Sequence, residues 1–314
     1  MNLSDSTVYA HGRFCKYDDA RVGLLSHGLN YGAGCFEGIR AFWDAEGREL
    51  NVLHSTEHYE RMQKSAKMLY MALPHAAPEL TELTLELLAR NRFETDVYVR
   101  ALAFKDNEDI GVRLHDVKDA FALVAIPFGK YVDVEGGLNV CVSSWRRMDD
   151  ASAPARAKIT GIYVNSALAK SEALQNGFDE AIMLSADGHV SEGSAMNIFL
   201  VREGALITPD PAQNILEGIT RGLMIKLAES LGFKVVERAI DRSELYAADE
   251  IFFTGTGAGV LAVTSVDRRT VGSGAAGEMT LRLMRLYERI VRAKEPAYKG
   301  WLTPVYAGRA AAAR

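Results

Sequence analysis

Along STEHYERMQKSAKMLYMAL, apolar residues fall at Tyr59, Met62, Ala66, Leu69 and Tyr70, the spacing of an amphipathic helix capped by Ser55 or Thr56. Just before it, IRAFW (39–43) and LNVLH (50–54) flank the glycine-containing turn DAEGRE and predict a hairpin. ELTELTLELLARN (79–91) continues as a second helix. DVYVRALAF (96–104) and AFALVAIPF (120–128) are rich in β-branched and aromatic residues and predict strands. The Pro and Gly content of PFGKYVDVEGG (127–137) marks a connection.

Beyond it, LNVCVSSW (138–145) opens as a strand, and YVNSALAKSEALQNG (163–177) is a helix stopped by Gly177. Short strands then follow tight turns through DEAIMLS, HVSEGSAMNIFLV and ALITP, with Asp187-Gly188 a strong hairpin signal. ITRGLMIKLAESLG (219–232) is a helix, FKVVERAI (233–240) and EIFFTG (250–255) are strands, and GEMTLRLMRLYERIVRAK (277–294) is the last helix. The expected organisation is two α+β domains, 1–126 and 138–307, joined by 127–137 and followed by a low-complexity tail, 308–314.

Composition narrows the function classes. Of 314 residues, 48% are hydrophobic and 25% charged, an ordinary globular balance. Lys plus Arg number 36 against 41 Asp plus Glu, so the basic surplus of a nucleic-acid binder is missing. Apolar runs are strand-sized, far below the roughly 20 residues a bilayer requires, and the start lacks a signal-peptide pattern. Cys15, Cys35 and Cys141 are odd in number and widely spaced, which predicts neither a disulfide framework nor a zinc site. A cytoplasmic protein without nucleic-acid or membrane partners is the expectation.

The candidate chemistry starts in ARAKITGIY (155–163). Lys158 sits among Ala155, Ala157, Ile159 and Ile162, whereas most lysines are surface charges. An ammonium carried into a packed region tends to lose its proton, and the resulting amine is what bonding to an aldehyde requires. Glu192, between Ser191 and Gly193, reads either as a turn acid or as a carboxylate facing a ring nitrogen. Gly218, Ile219 and Thr220 open a helix, where unpaired N–H groups and the positive helix end suit a phosphate. TGTGAGV (254–260) adds a second Gly-rich turn but fits neither GxGxxG nor a P-loop. Arg61 is either a solvent-seeking helical arginine or a second phosphate clamp. His54 and His58 stand four apart without the adjacent Glu of HExxH, so a cap or strand-end role outweighs zinc, and no metal is expected.

In this order, together with SHGLNYGAGCFEGIRAF, HYERMQKSAKML, VYVRALAF, VSSWRR, SEGSAMNIF, EGITRGLMIKLA, LYAADEIFFTGTGAGV and KGWL, these residues make the chain up to about Tyr306 resemble the branched-chain amino acid aminotransferases. Those are fold-type IV enzymes dependent on pyridoxal 5′-phosphate (PLP). The resemblance implies a two-domain α+β fold: a small N-terminal α/β domain, a larger pseudo-barrel C-terminal one, and a homodimer or assembly of dimers in which a partner subunit completes the site. It implies that Lys158 bonds to the cofactor aldehyde and moves the proton at the substrate α-carbon. Tyr163 would meet the ring hydroxyl, Glu192 the ring nitrogen and Leu216 the ring face. Arg61, Ile219, Thr220 and Thr256 would hold the phosphate, with Gly218 at the same helix start. Tyr98 and the amides of Thr256 and Gly257 would take the substrate α-carboxylate. Tyr31, Phe36, Gly38 and Tyr131 would line the side-chain pocket, and Arg100 would receive the distal carboxylate of glutamate.

The reaction so implied passes the amino group of Leu, Ile or Val to 2-oxoglutarate, with small amino and 2-oxo acids as the partners. An (R)-selective amine or D-amino acid transaminase, an aminodeoxychorismate lyase, and a non-catalytic phosphate-ligand binder on the same scaffold are the other readings. Three departures stand out: Phe128 where many relatives have Trp, Met196 where many have Glu, and Arg113 in the charged segment KDNEDIGVRLHDVKD, a loop that shapes the substrate pocket in relatives.

Overall fold

The computed structural model describes residues 3–129 and 136–307. Tyr131, most of the expected 127–137 connection and the 308–314 tail lie outside the described residues. Two compact units emerge, one formed by residues 3–129, 157–161 and 289–307, the other by 136–156 and 162–288.

In the first unit the elements run β1 (Thr7–Ala10), β2 (Arg13–Lys16), α1 (His27–Tyr31), β3 (Gly34–Asp44), β4 (Glu49–Leu53), α2 (Ser55–Met68), α3 (Ala77–Asn91), β5 (Val97–Lys105) and β6 (Asp119–Pro127). With the late strand Leu302–Pro304 they form an antiparallel sheet in the order late strand, β4, β3, β5, β6, β1, β2. Along β5 the pleat alternates fully buried Val97, Val99 and Ala101 with half-buried Tyr98, Arg100 and Leu102. Helices α2 and α3 supply Tyr59, Met62, Leu80, Leu87 and Leu88 to the core, each fully buried and each contributing roughly 1.5–3 kcal/mol by leaving water.

Sequence and structure differ at both ends of α2. Neither Ser55 nor Thr56 caps it: His54 occupies the N-cap in a left-handed conformation (φ 49°), and its Nδ1 meets Glu57 at 2.6 Å. The helix stops at Met68, before the expected Leu69 and Tyr70, because Tyr70 turns left-handed (φ 53°) and its carbonyl accepts from the buried Lys105 ammonium at 2.7 Å. The β1–β2 hairpin has no counterpart in the expected elements.

Strand β3 is longer than expected because it pairs with β5 over Gly34–Ala41 and with β4 only over Ala41–Asp44. The edge left by β4 near Gly34 is taken by residues 157–161: Cys35 bridges Ile159, and Phe36 N–H donates to Lys158 O at 3.0 Å. Gly32, at the end of α1 (φ 64°), reaches the same segment. A Cβ there would lie 2.6 Å from Gly161 Cα, and Gly161 N–H donates to Gly32 O at 3.2 Å.

In the second unit come β7 (Leu138–Val142), α4 (Tyr163–Gln175), β8 (Glu180–Leu184), β9 (Val190–Gly193), β10 (Asn197–Arg202), β11 (Ala205–Thr208), α5 (Ile219–Ser230), β12 (Lys234–Glu237), β13 (Glu250–Gly255), β14 (Gly259–Val266), β15 (Arg269–Thr270) and α6 (Glu278–Val291). The mixed sheet has the order β12, β11, β10, β13, β14, β7, β8, β9, with β15 on β14. A turn in which Gly193 N–H donates to Met196 O ties the terminal strand β9 directly to β10, an interior strand. That connection makes the sheet curl back on itself. Val140, Ile182, Val190, Ile198, Phe253 and Val263 fill its core. On α4, Ala169 and Ala173 pack on Ala181 and Met183, and Gly177 leaves the helix at φ 78°.

Among the described residues no helix is long and apolar enough to cross a membrane, and no cluster of three or more His, Cys, Asp or Glu could hold a metal ion. Gly32→Ala should lower unfolding free energy by roughly 1–3 kcal/mol in urea titration, because the left-handed φ and the contact with Gly161 both oppose a side chain.

Candidate active site

Two groups of side chains gather the expected residues, one in each unit. In the first, Lys158 is fixed at its backbone from both sides: its carbonyl accepts from Phe36 N–H, and its N–H donates to Ser65 Oγ on α2 at 3.1 Å. The side chain is half-buried, and its ammonium nitrogen lies 4.9 Å from the centre of the Phe36 ring.

The pleat then separates two faces of β3. Phe36, Gly38 and Arg40 point one way, together with Tyr98 and Arg100 of β5, which pair with Arg40 and Gly38. The Arg100 guanidinium stacks 4.3 Å from the Phe36 ring and donates to the Tyr98 hydroxyl at 3.1 Å, while its Nε is buried without a hydrogen-bond partner. Gly38 is required by Tyr98, because a Cβ would stand 1.9 Å from the tyrosine oxygen. Four of the expected substrate residues therefore share one surface. Tyr31 is placed differently, 41% exposed, its ring against His27 and its hydroxyl accepting from Gly111 N–H at 3.4 Å.

The other face of β3 carries Glu37, which the sequence reading passed over. Arg61 donates through Nε to Oε1 at 2.7 Å and through Nη2 to Oε2 at 2.8 Å, and His58 Nδ1 meets Oε2 at 2.7 Å. Arg61 is therefore an inward-facing helical arginine. Burial alone would raise the Glu37 carboxyl, but the Arg61 charge and the His58 ring hold it well below the usual carboxylate range. Burial pushes the His58 imidazole below its ordinary value, helped by the charges of Arg61 and Lys158 and opposed by Glu37. Facing a carboxylate oxygen, which can only accept, the ring donates through Nδ1.

In the second unit, Glu192 is a buried carboxylate at the end of β9, 5% exposed. Arg147 stands 3.0 Å from Oε1, and Oε2 accepts from Asn197 Nδ2 at 2.9 Å and from Leu216 N–H at 3.2 Å. Asn197 Nδ2 also donates to Leu216 O at 2.8 Å, so the carboxylate is tied to the segment that runs into α5. Gly218 is the N-cap of α5 with no capping side chain, and a Cβ there would sit 2.1 Å from Asn197 Oδ1. The helix consequently starts with backbone N–H groups of Ile219 and Thr220. Buried Thr220 approaches Thr256 with its hydroxyl 3.5 Å away, which brings together the two turns read as phosphate seats. Tyr163, at the first position of α4, is half-buried, as are Leu216 and Gly257.

These donors fit a phosphorylated pyridine aldehyde. A helix start without a side-chain cap, beside a second hydroxyl-bearing turn, suits a phosphate. A buried carboxylate held in place suits a protonated ring nitrogen. Arg147 and Asn197 were legible only as parts of VSSWRR and SEGSAMNIF, since their partner Glu192 is 45 and 5 residues away along the chain. Of the departures, Phe128 lies 5.2 Å from the Tyr98 ring and, with Phe42, sandwiches Arg40 at 4.8 Å; Met196 is buried; Arg113 is exposed.

Residues 34–266 match the family Amino-transferase class IV. A protein of Aquifex aeolicus bearing the name "Probable branched-chain-amino-acid aminotransferase" is 45% identical over 97% of this chain and 98% of its own length. The branched-chain-amino-acid aminotransferase of Pseudomonas aeruginosa is 37% identical over 96% and 98%. Among solved structures, the branched-chain aminotransferase of Thermoproteus uzoniensis with norvaline is similar at a TM-score of 0.92, with 44% identity and 96% and 99% of the chains covered. The branched-chain amino acid aminotransferase of Thermobaculum terrenum in its PLP-form reaches 0.91, with 34% identity over 97% and 99%.

Removing Arg147 strands a buried charge. Arg147→Met should cost roughly 3–5 kcal/mol of stability in urea unfolding, and Arg147→Met with Glu192→Gln should recover most of that loss.

Proposed function

The chain belongs to the class IV aminotransferases, and from that premise we propose that it moves the amino group of leucine, isoleucine or valine to 2-oxoglutarate with PLP as cofactor. One observation carries the reading. Glu192 and the Gly218–Thr220 helix start are joined through Leu216, so a carboxylate for a ring nitrogen and a seat for a phosphate belong to one hydrogen-bonded arrangement.

When bound, the cofactor supplies a protonated pyridine ring that accepts electrons from the substrate α-carbon. Everything else is asked of the chain. Lys158 would hold the cofactor aldehyde and, with substrate in place, would move the proton at the α-carbon as base and then acid. Glu192 holds the ring nitrogen protonated, its position fixed by Arg147, Asn197 and Leu216 N–H. Tyr163 hydrogen-bonds the ring hydroxyl and Leu216 packs on the ring face. Arg61, Ile219, Thr220 and Thr256 bind the phosphate.

The Tyr98 hydroxyl and the Thr256 and Gly257 amides take the α-carboxylate. One pocket must accept both an apolar side chain and glutamate's second carboxylate. Phe36 and the small Gly38 suit the first, and the partnerless Nε of Arg100 offers a buried donor to the second.

Exposed apolar residues in the first unit support an assembly. Leu24 (84% exposed), Leu29 (64%), Ile110 (86%) and Val112 (81%) stand out, with Asp109 held to His27 and Gly111 to Tyr31. A second copy of the chain covering this patch would make the enzyme a homodimer and bring Tyr31 into an interface. Sedimentation analysis should give twice the 34.4 kDa chain mass, and Ile110→Lys with Val112→Glu should shift the protein toward the single-chain mass.

In single-turnover experiments L-leucine should bleach the yellow of the bound cofactor, and 2-oxoglutarate should restore it. Lys158→Ala should slow the bleaching at least about a thousandfold, the scale of a lost general base. Bleaching by D-alanine or (R)-1-phenylethylamine, but not by L-leucine, would replace the substrate assignment with the amine or D-acid reading.

A further inference from the structure

The fully buried carboxylate of Glu37 has no part in the reaction as described, yet it sits in the middle of the first unit's share of it. Its neighbours on β3 are Phe36, whose N–H holds the Lys158 carbonyl, and Gly38, which makes room for Tyr98. The carboxylate points away from both, toward α2, where His58 and Arg61 lie on one helical face. Exposures of 0% for Glu37, 2% for His58 and 11% for Arg61 exclude a surface ion pair.

A negative charge is a poor neighbour for a phosphate if only charge matters, since it cancels the arginine that would attract the anion. Geometry gives the other answer. An arginine side chain has several rotatable bonds, and an unheld guanidinium reaches a ligand only after losing that freedom. Here two parallel N–H···O bonds lock the guanidinium plane, and the His58 ring holds the second carboxylate oxygen. Met62 and Tyr59, both fully buried, fix the helix on which Arg61 is carried. Such second-layer partners set the orientation of the groups that touch the ligand.

We propose that Glu37 is a positioning residue for cofactor phosphate recognition: it locks the Arg61 guanidinium into the one orientation in which it grips the phosphate, with His58 bracing the carboxylate. This rests on the PLP reading above and names what makes its phosphate clamp selective.

The test compares PLP with pyridoxal, which has the aldehyde and ring but no phosphate. Dissociation constants for both are measured on the folded chain by absorbance titration for the wild type, Glu37→Gln, Arg61→Met and the Arg61→Met/Glu37→Gln double variant. Losing one charge-assisted bond of this kind predicts that Glu37→Gln weakens PLP roughly ten- to hundredfold and leaves pyridoxal within about twofold. Once Arg61 is gone, the second substitution should change PLP affinity by less than about twofold, because the clamp it served is absent. The double variant leaves no unpaired buried charge, which keeps the comparison open if a single variant fails to fold. Equal weakening of PLP and pyridoxal in Glu37→Gln, or additive losses in the double variant, would overturn the proposal. A wild type that binds neither compound sinks the PLP reading itself, whereas a wild type that prefers PLP alongside a Glu37→Gln variant that shares this preference sinks the positioning role alone.

Discussion

The alternation of side chains along β3 is the constraint on which the first unit's chemistry rests. Because successive residues of a strand face opposite ways, Phe36 and Gly38 meet Tyr98 and Arg100 on one side while Glu37 meets Arg61 and His58 on the other. The strand's backbone edge serves a third purpose, since Phe36 N–H holds the lysine segment. A slip of one residue in the pairing with β5 would put the carboxylate beside Tyr98 and Arg100 and the phenyl ring against α2. The register is held along eight consecutive pairs, Gly34↔Phe104 to Ala41↔Val97.

The second unit meets a different difficulty, that of seating an acid inside a protein. Glu192 is 5% exposed, and a buried carboxyl group left without partners is costly. Arg147, Asn197 and the Leu216 amide answer its two oxygens, and each comes from a separate stretch of chain. Asn197 does double duty by holding the Leu216 carbonyl as well, and its own bulk explains why the next helix must open on glycine. A hydrogen-bond network, a steric exclusion and a helix start are thus one arrangement.

How much of this could be read in advance depended on distance along the chain. Helices such as 79–91 and 163–177 followed from apolar spacing because their period is local, and they were found at Ala77–Asn91 and Tyr163–Gln175. Gly218 to Thr220 signalled a helix start for the same reason. The Glu37–Arg61–His58 group stayed hidden because its members belong to a strand and a helix whose packing no periodicity reveals; Arg61 was read as a solvent-seeking arginine or a phosphate clamp, with no acid named as its partner. The cap of α2 was misjudged because His54 adopts a left-handed backbone that a Ser or Thr signal masks. Lys158 was legible as a lysine in odd company, but its anchoring to Phe36 spans 122 residues and could come only from the fold.

The first unit is not a contiguous stretch of sequence. Residues 157–161 and 289–307 complete it, the former along the Gly34–Phe36 edge of β3 and the latter through a strand paired with β4. As a ribosome emits the chain from its N-terminus, the β3 edge has to wait for more than a hundred further residues before its backbone groups are satisfied, and unpaired edges are where nascent chains stick to one another. An amputated fragment ending near Gly129 would keep that edge bare permanently. Lys158 is therefore part of a late-arriving fastener, and the protein is expected to become folded only when nearly all of it has been made.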